Sequence, residues 1–177
     1  MMKFKMIPTA TLTALMLIGC GSDSDGEEIA FAVNNAAGER IGTLELEQQA
    51  DGGVEIEVEL SGLTPGVHAM HFHEVGRCDA PDFKTAGGHY NPASVAHGQV
   101  EDGPHAGDMM NIELATDGTG DVEITNEKVN IRVGGALPAL MDADGSALII
   151  HAGADDYKSQ PSGAAGARVA CAVISAG

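Results

Sequence analysis

Val54-Glu55-Ile56-Glu57-Val58-Glu59-Leu60 alternates without interruption between aliphatic and acidic side chains. Successive side chains of an extended chain point to opposite faces, so residues 54–60 present one aliphatic face and one carboxylate face. A helix would scatter the same residues around its circumference. The stretch therefore reads as a half-buried strand of an antiparallel sheet, covered on one side and wet on the other. Working outward, Ile41 to Gln48 alternates through Leu44 and Leu46. Shorter runs cover Ile29 to Val33, Val67 to His73, Asp108 to Leu114, Val122 to Ile124, Val129 to Val133, Ala147 to His151 and Arg168 to Ile174. Turn formers separate them, as in Asp51-Gly52-Gly53, Thr64-Pro65-Gly66, Asp117-Gly118-Thr119-Gly120 and Asp142-Ala143-Asp144-Gly145. Many short strands at this spacing predict an all-β antiparallel sandwich or barrel, in one domain without internal repeats. Two segments do not fit strands: Gly76 to Gly107, glycine-rich with three histidines, and Ala152 to Gly166. Long loops in a compact domain are usually functional.

The first residues read differently. Lys3 and Lys5 precede a largely apolar, uncharged stretch from Met6 to Ile18, a secretory signal too short to cross a bilayer comfortably. It ends Leu17-Ile18-Gly19-Cys20, which resembles a bacterial lipobox; that resemblance implies cleavage before Cys20 and lipids carried by that cysteine. An ordinary signal with a chance cysteine is the alternative. Residues 1–19 are thus expected to be a signal peptide, 20–28 a flexible polar tether and 29–177 the folded domain. Loss of residues 1–19 leaves 158 residues and moves the formal charge from −17 to −19. So acidic a chain lacks the basic patches that nucleic acid requires. With no Trp and 3% aromatic residues, it also lacks stacking platforms for sugars or bases. Cys78 and Cys171 remain as an even pair in a secreted chain, which reads as one disulfide, with free thiols or thiolate metal ligands as the alternative.

The seven histidines are unevenly placed. His71 and His73 lie on the same face of a strand, about 6–7 Å apart, close enough to chelate one metal ion. His68 has the opposite parity. An HxH pair alone also suits packed core histidines. Downstream, His89, His97, His105 and Asp108 fall in one loop, a contiguous three-nitrogen, one-oxygen set suited to tetrahedral zinc; solvated loop histidines are the alternative. His151 ends the apolar run Ala147-Leu148-Ile149-Ile150, where the second loop begins.

"MHFHEVGRC", "AGGHYNP", "HAGD" and "GARVACAVI" resemble the copper,zinc superoxide dismutases, in their bacterial secreted branch, from about Ile29 to Ile174. The resemblance implies a Greek-key, Ig-like β-sandwich or flattened barrel of about eight antiparallel strands with two long functional loops. It implies that His71, His73, His89 and His151 bind copper, and that His89, His97, His105 and Asp108 bind zinc, with His89 as a bridging imidazolate. It implies a carboxylate at Asp155 that orients His71 and His97, a structural role for His68, a Cys78–Cys171 disulfide and an anion-orienting Arg168. The substrate implied is superoxide and the cofactors Cu²⁺/Cu⁺ and Zn²⁺, in a protein held to the bacterial envelope by lipid on Cys20 and facing the periplasm or exterior. Monomer and homodimer are both compatible with the sequence. A non-enzymatic copper/zinc-binding lipoprotein is a second reading. A cupin-type enzyme is a third, but Glu74 stands next to His73, on the wrong face for it. Arg77, Lys84, Lys158 and Arg168 lie in or beside the two loops and are expected to attract an anionic substrate to an otherwise acidic molecule.

Overall fold

The computed structural model describes residues 28–176. The signal segment, Cys20 and the tether through residue 27 lie outside the described residues. Among the described residues eleven strands form: β1 Glu28–Asn35, β2 Arg40–Gln48, β3 Val54–Leu60, β4 Gly66–His68, β5 Met70–His73, β6 Ile112–Leu114, β7 Gly120–Asn126, β8 Asn130–Arg132, β9 Ala139–Met141, β10 Ser146–His151 and β11 Arg168–Ile174. A single 3₁₀ turn, Lys84–Ala86, is the one helical element among the described residues. Seven strands make one antiparallel sheet in the order β5-β10-β11-β1-β2-β3-β7, and β4–β6 and β8–β9 make two small sheets. The aliphatic face of Val54–Leu60 turns inward: Val54, Ile56, Val58 and Leu60 pack with Leu44, Leu46, Phe72, Leu148 and Ile150. Ile112, Leu114, Ile131 and Leu140 of the small sheets join the same cluster, so the large sheet curls over one core that the small sheets help to close.

The carboxylate face has a less ordinary arrangement. Register sets Glu47 opposite Glu55, Glu45 opposite Glu57, Glu57 opposite Glu123, and Glu59 opposite Asp121. Like charges directly across a ladder destabilise it. Loss of hydration and then repulsion from Glu123 and Glu47 raise the pKa of Glu55; loss of hydration and then Asp121, Glu45, Glu59 and Glu123 raise that of Glu57.

Three local expectations differ. Val67 to His73 is not one strand: the chain breaks at Ala69, so His68 lies in β4 beside β6 while His71 and His73 lie in β5 beside β10. The cause is a crossing contact, since Ala69 N–H donates to Gly153 O and His151 N–H donates to Ala69 O. Asp108 to Leu114 is strand only over Ile112–Leu114, because Asp108 is taken up by its histidine neighbours. β9 carries no period-two signal and pairs with β8 in parallel, a departure from all-antiparallel pairing.

β5 is an edge strand, and the long loop before β6 covers it. Phe72 N–H donates to Gly107 O, Tyr90 N–H to Phe72 O and Glu74 N–H to Gly88 O. His71 thereby faces Asp108, and His73 faces His89, in isolated backbone bridges. Covering an exposed edge is an ordinary structural need; here it also carries loop residues to the strand that bears His71 and His73.

Candidate metal centre

His71, His73, His89 and His151 each offer one nitrogen, all within 4.8 Å of one another, and His89, His97, His105 and Asp108 form a second such group. His89 belongs to both. The strand pair β5–β10 sets His71 and His73 beside His151, and the bridged loop supplies the rest. All six histidines are buried.

Hydrogen bonds decide which ring nitrogen is free. A carbonyl oxygen only accepts, so His73 Nδ1–H donates to Gly87 O at 3.0 Å and His151 Nδ1–H to Gly166 O at 3.3 Å. His71 Nε2–H donates to Asp155 Oδ2 at 2.8 Å and His97 Nε2–H to Asp155 Oδ1 at 3.1 Å. Of the opposite nitrogens, His71 Nδ1, His73 Nε2 and His151 Nε2 are buried without a hydrogen bond, as is His89 Nε2; His97 Nδ1 and His105 Nδ1 are buried too and approach only the Asp108 carboxylate, without hydrogen-bond geometry. Buried polar atoms left unpaired are rare and destabilising. Six of them converging in two groups is the arrangement that a pair of metal ions would satisfy. Three ring nitrogens gather around Asp108: His89 Nδ1, His97 Nδ1 and His105 Nδ1 lie 2.9, 3.0 and 3.2 Å from its carboxylate.

Electrostatics favour ligands over acids. Burial, then the His89 charge, lowers the pKa of His71 to about 3 and that of His73 to about 2. Burial lowers that of His151 to about 4, against the hydrogen bond to Gly166. Burial likewise lowers His105. These rings are neutral at pH 7, the form that binds metals. Burial pushes the Asp108 carboxyl up, but hydrogen bonds from His89 and the Gly98 N–H outweigh it and hold it well below the usual carboxylate range. Asp155 is held low in the same way: burial opposes, and the Tyr157 N–H, His97 and His71 prevail.

His68 bonds His151 O through Nδ1 at 2.7 Å and Thr64 O through Nε2 at 2.8 Å, so it ties backbone and stays out of both groups. Cys78 and Cys171 form a disulfide at a sequence separation of 93. Arg168, the cross-strand partner of His151, donates to Phe83 O at 2.7 Å and to Gly87 O at 2.6 Å. Gly87 O thus holds both Arg168 and His73. Two of the expected attracting charges are locally cancelled: Arg77 pairs with Asp79 and Lys84 with Asp82, both at 2.7 Å and both exposed.

Several positioning groups carried no sequence signal. Asn111 accepts from Asp155 N–H at 2.9 Å and donates to Asp155 O at 3.0 Å. Tyr157 accepts from Asn111 N–H at 2.7 Å. Gly163 has φ +69°, and a Cβ there would overlap Asp155 Oδ1 and His97 Nε2, so only glycine lets the second loop close over the carboxylate. The Phe83, Gly87 and Gly166 carbonyls are backbone atoms, which no residue type announces.

Fold and donor set together define a β-sandwich protein with two candidate metal-binding groups that have one histidine in common. The copper/zinc superoxide dismutase family model matches residues 40–174, so the chain belongs to that family. A relative from Caulobacter vibrioides, "Superoxide dismutase [Cu-Zn]", is 51% identical over 128 residues, which is 71% of this chain and 74% of that protein. Among solved structures, a double mutant of a SOD-like protein from Bacillus subtilis matches with TM-score 0.80 at 39% identity, covering 83% of this chain and 97% of that one. The Cu/Zn superoxide dismutase from Brucella abortus matches with TM-score 0.67 at 29% identity, covering 84% and 99%.

Proposed function

We propose that this chain dismutates superoxide, turning two superoxide anions and two protons into O₂ and H₂O₂. His71, His73, His89 and His151 hold copper; His89, His97, His105 and Asp108 hold zinc. The observation that carries this reading is the set of six buried imidazole nitrogens without a hydrogen bond, all on residues of two donor groups that have His89 in common. When bound, copper supplies one-electron exchange between two oxidation states, while zinc supplies charge and order without redox chemistry. The chain's own residues do the rest. Gly87 O, Gly166 O and Asp155 fix the tautomers that aim the free nitrogens of His71, His73, His97 and His151 into their groups. Arg168, tethered through the carbonyl that also holds His73, orients the anion. His89, placed between the groups, is positioned to carry a proton on the nitrogen facing copper. The four-histidine group and Arg168 are both intact, which favours catalysis over a non-enzymatic metal-binding role.

The experiment is reconstitution with Cu(II) and Zn(II), followed by metal analysis and superoxide-decay assay on the same sample. One of each ion per chain and fast decay are expected, with His89→Ala changing the copper spectrum and weakening zinc. Unaltered copper spectra and zinc content in His89→Ala would refute the shared bridge. Zinc alone with no decay would favour the non-enzymatic reading.

The pattern Leu17-Ile18-Gly19-Cys20 supports a lipid-anchored envelope protein facing the periplasm or exterior. Two or more acyl chains anchor stably where one does not. Cys20→Ser should release the protein from membranes; equal retention of that variant argues against the lipobox.

A further inference from the structure

We propose that Gln160 is a positioning residue for the group of His89, His97, His105 and Asp108, acting through the backbone of His97. The proposal rests on the reading that this group holds zinc. The other ligands have backbones set by pairing or local turns. His71 and His73 lie in β5, His151 lies in β10, and His89 is bridged to His73. His105 N–H donates to Asp108 Oδ2 at 3.0 Å. His97 lies in the loop, outside every strand. Its N–H donates instead to Gln160 Oε1 at 2.9 Å, and Gln160 Nε2 donates to its carbonyl at 2.8 Å. A primary amide carries a donor and an acceptor side by side, so one side chain stands in for the neighbouring strand that His97 lacks.

The second loop therefore grips His97 at two points. Asp155 holds the ring at Nε2, and Gln160, five residues later, holds the backbone. Between them, Gln99 N–H donates to Tyr157 O at 2.7 Å, which keeps the two loops in contact next to His97. A Cβ on Gly98, at φ +82°, would overlap Tyr157 O, so the loops meet backbone to backbone there. With ring and backbone both fixed, His97 Nδ1 stays aimed at the Asp108 carboxylate. Without Gln160 the backbone can shift while the Asp155 contact persists, and the nitrogen loses its aim.

Partners that orient ligands are typically worth tenfold to a hundredfold in metal affinity. Gln160→Met keeps length and removes both hydrogen bonds; Gln160→Glu keeps the acceptor for His97 N–H and loses the donor to its carbonyl. Gln160 is exposed, so both variants should fold, and thermal unfolding of the metal-free proteins checks this. The readouts are Zn(II) affinity by chelator competition, the visible Co(II) band at the same group, and the Cu(II) EPR spectrum of the four-histidine group. Gln160→Met should bind Zn(II) about tenfold more weakly and shift the Co(II) band. Gln160→Glu should recover only part of the loss, and the Cu(II) spectrum should hold in both. Zn(II) affinity within about twofold of the parent, with an unmoved Co(II) band, overturns the proposal. So does a parallel loss at the copper group, which would mark a general loosening of the loop. A parent protein that takes neither Zn(II) nor Co(II) at this group refutes the zinc reading itself, and the role of Gln160 with it.

Discussion

Removal of the Cys78–Cys171 bridge should destabilise the metal-free protein by about 4–5 kcal/mol. The bridge joins positions at a sequence separation of 93, and the entropy of closing a loop that long in the unfolded chain gives the figure. For a domain of this size it corresponds to a fall in Tm of roughly 10–20 °C. Residues 79–170 enclose His89, His97, His105, Asp108, His151, Asp155 and Arg168, so the bridge limits the unfolded freedom of nearly every group at the site. It also pins the loop whose Phe83 and Gly87 carbonyls hold Arg168. Cys171 is fully buried beside Phe83, Ala86, Ala147 and Ile149, which shields the bridge from solvent. The assay is urea unfolding of metal-stripped protein, oxidised, reduced, and as the Cys78→Ala/Cys171→Ala double variant. Stripping the metal removes its own contribution to stability. The oxidised protein should also show the smaller m-value, because its unfolded state is more compact. A difference below about 1 kcal/mol in both the reduced and the substituted protein would refute the chain-entropy reasoning. Reconstituted double variant should lose activity beyond its loss of folded fraction, since Arg168 is then less firmly held.

Gly163→Ala should weaken metal binding at the group containing His97 by tenfold or more, because its Cβ overlaps Asp155 Oδ1 and His97 Nε2 at a positive φ; chelator competition measures it, and unchanged affinity would show that the loop yields without moving Asp155. Glu57→Gln should stabilise the protein at pH 7. The raised pKa of Glu57 in the fold means that its favourable, protonated state is fully present below the unfolded value of 4.5 and is lost as pH rises through the folded value. The gain over the parent should therefore shrink as pH falls toward 4.5 and as salt rises; a gain that is independent of pH would contradict the repulsion from Asp121, Glu45, Glu59 and Glu123. Arg168→Glu should cut the rate of superoxide decay by more than about tenfold, and the parent rate should fall with ionic strength. A parent rate that climbs with salt would mean that the net negative charge of the chain prevails over Arg168.

Period-two alternation identified β2 and β3 closely, because a strand with one buried face must write that face into every second residue. The ligand types were equally legible: His71 and His73 share a face by parity, and His89, His97, His105 and Asp108 are closely spaced within one loop. The side-chain chemistry of a metal group cannot be supplied by anything else, so it has to stand in the sequence. What the sequence could not determine is how these residues are held. The break at Ala69, which puts His68 and His71 in different sheets, depends on contacts with Gly153 and His151, more than eighty residues away. The choice of free ring nitrogen rests on the Gly87 and Gly166 carbonyls and on the reach of Asp155, and a carbonyl is the same atom in every residue. Gln160 and Asn111 look like any exposed or loop amide until folding sets each against both backbone groups of one distant residue. Sequence alone therefore determined the strands and the donor atoms, which follow from local periodicity and residue chemistry. Only the tertiary structure decided their aim, because orientation is set by backbone atoms and long-range contacts that carry no residue identity.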